Sequence, residues 1–231
     1  MTPPSTVVLD LDGTLVDSVP VHVLAWQAAF RAVGVAVPTH RVHRAIGMGG
    51  DRLVAQVAGE EVERAHGDRL RELHPAELDR LFGRIRPAEG ASALLATLAE
   101  RGVTVVLASS SEQALTDRLL GLVDGADRLD RVITGSDAEQ SKPDGELVAT
   151  ALASVGDAAA VLVGDAVWDV AAARDAGVPC VGVLTGGIGE AELRGAGAVG
   201  VHESAQVLAE LLTAADGSFT PVHAWRQPPN A

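Results

Sequence analysis

Tyrosine is absent from this chain, and aromatics in all make up only 3% of it. Ala, Val and Leu must therefore fill the core, and such small aliphatic side chains favour close packing of helices on a sheet. Cysteine is down to one residue, Cys180. That excludes an internal disulfide, and no Cys/His cluster has the spacing of a zinc site. Positive charge is scarce: 18 Lys and Arg stand against 31 Asp and Glu, a formal net charge of -13. Such a chain repels a phosphate backbone, and its Arg residues form no basic patch, so a nucleic-acid partner is excluded. It also repels an anionic metabolite, so a site for one needs a cation or positive groups of its own. No apolar run is long enough to span a membrane. Met1 to Thr6 lacks the basic start and apolar run of a signal peptide, so a cytoplasmic protein without a membrane partner is expected.

What is present suits a globular fold: 231 residues, 47% hydrophobic and 21% charged. Val7-Val8-Leu9 is a short β-branched run ending in Asp10. Similar runs recur at Val103 to Ala108, Arg131 to Thr134, Ala160 to Val163 and Val178 to Val183. Each is apolar on both parities, as in strands buried on both faces of a parallel sheet. Helical patterns separate the later ones, at Ala91 to Arg101, Glu112 to Leu122, Glu146 to Ser154 and Val167 to Ala176. The alternation predicts a doubly wound, Rossmann-like parallel α/β sheet. From Val16 to Ile85 the pattern is helical with no convincing strand. Ser18 is placed to cap a first helix presenting Val23, Trp26, Phe30 and Val33 on one side, and Pro75 is expected to interrupt the last one. This predicts a helical cap over 16–86, inserted after the first strand of a core made of 1–15 and 87–213. The tail from Ala214 to Ala231 is rich in Pro and polar residues and is expected to be loosely held.

Open α/β sheets bind ligands at the carboxyl ends of their strands. Those ends carry Asp10 and Asp12, Ser109 with Ser110 beside it, Lys142 a little way on, and Asp165. Asp10 and Asp12 are two apart and point the same way on an extended segment. Converging carboxylates repel, and a divalent cation resolves the conflict. Gly13 lets the backbone turn sharply there. Asp165 and Asp169 lie four apart, so a helix starting between them turns both to one site. Ser109 precedes a helix, where its hydroxyl and nearby N–H groups suit a phosphoryl oxygen; a plain N-cap is the alternative for Ser110 or Ser111. Lys142 is the only lysine among 18 basic residues, which suggests a point charge aimed at a phosphate.

Asp10-Leu11-Asp12-Gly13-Thr14-Leu15, Ser109, Lys142 and Gly164-Asp165 with Asp169 together resemble the haloacid dehalogenase superfamily, in that order along the chain. The helical insert resembles the cap of its phosphoglycolate phosphatase and β-phosphoglucomutase branch. The resemblance implies a phosphatase acting on a small phosphorylated metabolite, of the phosphoglycolate or sugar phosphate type, as a monomer or homodimer. It implies Asp10 as nucleophile and Asp12 as acid and base, where the dehalogenase branch lacks that second acid. It implies Mg2+ held by Asp10, the Asp12 carbonyl and Asp165, with Asp169 holding a metal-bound water or orienting Lys142. Ser109, Ser110 and Lys142 would bind the phosphoryl group. In the cap, Asp17-Ser18-Val19-Pro20-Val21-His22 is similar to relatives whose His lies near the site, and Gly47 to Gly50 with Arg52 resembles the substrate loop. In β-phosphoglucomutases an Arg follows the first Gly of that loop by three; here that place is Gly50, which tilts the expectation from isomerisation toward hydrolysis. A phosphomutase and a catalytically idle binding protein on the same fold are the rival readings.

Overall fold

The computed structural model of the chain describes residues 4–138, 140–156 and 159–214. Strand β1 (Thr6–Leu9) is wholly buried and leads into Asp10. A short strand, β2 (Val16–Asp17), is followed by helices α1 (Val19–Ala32), α2 (Thr39–Ala45), α3 (Gly50–Ala58) and α4 (Glu60–Leu81). Strand β3 (Arg86–Pro87) pairs antiparallel with β2 and closes the insertion. Alternation then begins: α5 (Ala91–Glu100), β4 (Thr104–Ala108), α6 (Gln113–Leu120), β5 (Arg131–Ile133), α7 (Glu146–Ala153) and β6 (Ala160–Gly164). It ends with α8 (Val167–Asp175), β7 (Cys180–Val183), α9 (Glu190–Ala196), β8 (Gly200–His202) and α10 (Ala205–Ala214).

Six strands form one parallel sheet in the order β5-β4-β1-β6-β7-β8. The chain winds outward from β1 through β4 to β5, then crosses to the other side for β6. That reversal opens a crevice at the carboxyl ends of the central strands. The two-residue period of the strands sorts their side chains onto two faces. Val7, Leu9, Val105, Leu107 and Val163 pack with Leu94 and Leu98 of α5 and Leu208 of α10. Val8, Val106, Leu162 and Cys180 pack with Leu147 of α7, Ala172 of α8 and Leu193 of α9. Each fully buried Val or Leu contributes roughly 1.5–3 kcal/mol. A third, separate cluster joins α1 to α4 through Trp26, Phe30, Val42, Leu53, Val54 and Leu70. The fold is the doubly wound α/β sheet with an inserted helical cap that the residue pattern predicts.

Local departures have local causes. Helix α4 runs straight through Pro75. The proline removes a single backbone bond, and α4 packs against both α1 and α3. Ser18 stands at the N-cap of α1, but its side chain makes no capping bond and turns to Asp12 instead. β2 and β3 are only two residues long and β8 is three with a glycine at its start, so none makes an apolar run. Ala214 belongs to α10, and the rest of the expected loose tail lies outside the described residues.

Candidate active site

Asp10 leaves β1 beside β6, its N–H bonded to the Val163 carbonyl at 2.9 Å. Lys142 reaches the same point from beyond β5, and its Nζ donates to Asp10 Oδ1 at 2.5 Å and to Asp169 Oδ1 at 2.8 Å. Lys142 is completely buried, as is Asp169. Burial alone would lower the ammonium's pKa, but the two carboxylates hold it above its usual value. Burial pushes the Asp10 carboxyl up to about 7; Lys142 opposes the rise, and Asp169 and Asp12 add to it. Asp165 is likewise pushed well up, first by burial, then by Asp169 and Asp10. Glycines make room for this crowd. A Cβ on Gly13, whose φ is +87°, would stand 2.4 Å from Asp165 Oδ2, and one on Gly186 would stand 1.6 Å from it.

The cluster has the make-up to hold a cation. Asp10, Asp165 and Asp169 each offer an oxygen within 4.8 Å of the others. Asp165 Oδ1 is buried and finds no hydrogen-bond partner among the described residues. Three buried carboxylates against one ammonium leave excess negative charge, and an all-oxygen donor set fits a hard divalent ion such as Mg2+.

Asp12, two residues on, does not join the cluster with its side chain. Its Oδ1 accepts from Ser18 Oγ at 2.5 Å and from His22 Nε2 at 3.0 Å, and its Oδ2 accepts from Ser111 Oγ at 3.1 Å. Burial pushes this carboxyl up, but the His22 charge and the three bonds outweigh it, leaving the pKa at about 2. Behind His22, His74 of α4 lies 3.2 Å away, Nε2 to Nδ1, and Trp26 stacks on His74 at 4.3 Å. Burial, helped by His22, lowers His74 to about 3, so its ring is neutral.

A model of the haloacid dehalogenase-like hydrolases matches residues 4–177. The chain belongs to that family. It is 34% identical over 221 residues to a plasmid-borne phosphoglycolate phosphatase of Cupriavidus necator, covering 92% of this chain and 95% of that protein. A solved hydrolase from Pseudomonas syringae superposes with a TM-score of 0.84 at 32% identity, over 92% of this chain and 98% of that one. A β-phosphoglucomutase from Clostridium difficile shares the fold, with a TM-score of 0.76 at 20% identity over 90% of this chain and 93% of its own. This haloacid dehalogenase-like hydrolase thus lies in the branch that its motifs resemble, and it is an enzyme.

The hydrolase gathers most of the residues singled out in its sequence and disperses others. Asp10, Asp12, His22, Gly47, Gly50 and Ser110 line one cavity between sheet and cap. Ser110 Oγ donates to the Gly47 carbonyl at 3.2 Å, tying strand end to cap loop. Ser109 is buried behind them, where its Oγ accepts from the Ser111 N–H at 3.1 Å. None of the three serines caps α6, whose N-cap is Glu112. Arg52 turns out of the cavity to Gln140, at 2.5 Å, and toward Asp144. Other bonds seat the cap on the core: Ser141 Oγ donates to Asp51 Oδ1 at 2.6 Å and accepts from the Gly49 N–H at 3.2 Å. His43 Nε2 meets the Gly186 carbonyl at 2.9 Å, and Trp168 Nε1 donates to the Arg44 carbonyl at 2.8 Å. Sequence reasoning missed Ser111 as a partner of Asp12, and His74 entirely. The pairing of His74 with His22 crosses 52 positions, and no local pattern signals it.

Proposed function

We propose that this phosphatase hydrolyses small phosphate monoesters, of the phosphoglycolate or sugar phosphate type, through an aspartyl-phosphate on Asp10 with Mg2+ bound beside it. One observation carries the reading: Asp10 shares Lys142 and the oxygen cluster, while Asp12 is held apart by three hydrogen bonds. Two neighbouring carboxylates in such different surroundings take different chemical roles. Asp10 forms a bond to phosphorus as the bond to the alcohol oxygen breaks, and that oxygen takes a proton from Asp12. Asp12 is ionised in the resting site, so the proton it delivers is one taken up with the substrate. In the second half, Asp12 takes a proton from a water whose oxygen attacks phosphorus, and phosphate leaves Asp10 free.

Asp10, the Asp12 carbonyl and Asp165 are the proposed holders of Mg2+, which when bound offsets the repulsion between anionic nucleophile and dianionic phosphate. Lys142 binds the phosphoryl group with Ser109 and Ser110 at the same sheet edge, and Asp169 orients Lys142 through its 2.8 Å bond. Residues 1–15 and 87–213 form the catalytic core and 16–86 the substrate-choosing cap, in a cytoplasmic monomer or homodimer. Gly50 at the place of the mutases' Arg favours hydrolysis.

A phosphate-ester panel with Mg2+ or EDTA tests the reading. Free phosphate should appear only with the metal, and Asp10→Asn should cut turnover by orders of magnitude while circular dichroism stays native. Retained activity in Asp10→Asn would sink the mechanism. Glucose 1-phosphate isomerised without free phosphate would point to a phosphomutase, and silence of the folded protein across the panel to a binding protein.

A further inference from the structure

The cavity between sheet and cap has a volume of about 490 Å³. That volume equals roughly sixteen waters at their liquid share and lies in the range of sites that enclose ligands of many atoms. A two-carbon acid attached to the phosphoryl group fills little of it. Beyond Asp10 and Asp12, its wall carries apolar Trp26, Leu53, Leu78 and Leu115. Its charged lining there is Asp51, Asp79 and Glu112 against Arg71 and Arg118.

Both arginines are already paired. Arg71 donates to Asp68 at 2.9 Å and to the Gly50 carbonyl at 3.1 Å, and pairs with Glu63 at 2.8 Å. Arg118 donates to Asp79 Oδ1 at 2.6 Å and lies 4.2 Å above the Phe82 ring. Arg52, the cap-loop cation, is spent on Gln140 outside the cavity. His22, also in the wall, is held on Asp12 at 3.0 Å, and the His74 ring is neutral. Lys142 sits between Asp10 and Asp169, at the reacting end. A phosphoryl group therefore meets Lys142, whereas a second anionic group on the same substrate meets apolar carbon, three carboxylates and two already paired arginines. Bringing like charges together in a partly desolvated site costs affinity, and this is how sites reject wrong ligands.

We infer that the distal half of the cavity selects phosphate monoesters of an uncharged alcohol larger than two carbons, and discriminates against esters bearing a carboxylate. The inference rests on the phosphatase reading and decides within it, toward sugar-phosphate-like esters and away from phosphoglycolate. Asp79 is the residue that keeps Arg118 from serving a carboxylate.

The test compares kcat/KM within pairs that differ in CH2OH against carboxylate: glycerol 1-phosphate with 3-phosphoglycerate, and 2-hydroxyethyl phosphate with 2-phosphoglycolate. The uncharged member should be preferred by about tenfold or more in each pair, the cost of one poorly matched charge. The glycerol ester should also outrun the shorter hydroxyethyl ester. Asp79→Asn, which releases Arg118, should shrink the ratio by speeding the charged member. A wild-type ratio at or below one, or a ratio that Asp79→Asn leaves in place, overturns the inference while the phosphatase reading stands. No turnover of any of the four esters would bring down both.

Discussion

Lys142 is where chemistry and stability meet in one side chain. It is fully buried, and among the described residues it is the single counter-charge within bonding distance of both Asp10 and Asp169. Removing one partner of a buried ion pair leaves the others uncompensated, at a cost of about 3–5 kcal/mol. Lys142→Ala is accordingly expected to unfold at markedly lower urea than wild type and to lose turnover. Mg2+ should restore part of its stability, because the metal supplies the missing positive charge, but not its activity. Denaturation midpoints with and without Mg2+ check this; a midpoint equal to wild type in EDTA would refute the role. Lys142 was legible in the sequence because a lone lysine among so many arginines is anomalous wherever it falls. Ser111 was not, since three serines stand in a row and only the turn after β4 decides which of them faces Asp12.

At the level of elements, legibility followed the run of β-branched and aliphatic residues more than length alone: β5 was read from three residues and β8 was not. The central strands carry four or five buried residues each and announce themselves. β8 has three, one of them a glycine, and its burial comes from pairing with β7, a tertiary fact. Helix α4 shows the opposite failure, a local rule overridden by packing. Pro75 has no N–H to give the Arg71 carbonyl, and its ring crowds that oxygen. The helix persists because Leu70 and Leu78 on either side are buried, one against the cap helices and the other against the core. Pro75→Ala should therefore stabilise the protein, by up to about 3 kcal/mol. A thermal midpoint that falls instead would mean that the ring's contacts at the cavity wall outweigh the restored bond.

The whole molecule carries the acid cluster as a standing liability, and pH reveals it. Asp10 is raised from 3.8 to about 7, so between those values the folded chain keeps a proton that the unfolded chain has lost. Its stabilising contribution is complete below the unfolded value and is lost as pH rises through the folded one. Asp165 shifts the same way. Asp12, lowered to about 2, contributes in the other sense: its share is present above the unfolded value and is lost only as pH falls toward about 2. The metal-free protein is thus expected to melt at progressively lower temperature from about pH 4 to about pH 7. Metal binding must displace the same protons, so Mg2+ should raise the melting temperature more at the alkaline end. Melting curves in EDTA and in Mg2+ across that window are the check, and an equal metal effect at both ends would contradict it. Ser141 extends the cluster's reach. It is joined by one peptide bond to Lys142, and its hydroxyl is the strut on which Asp51 and Gly49 of the cap loop rest. The cap loop thus takes its seat from the neighbour of the one lysine in the acid cluster, so the two are secured or loosened together. Amide exchange over 47–52 should quicken in Ser141→Ala while β1 and β4 keep their protection, and equal protection of that loop in both proteins would contradict the coupling.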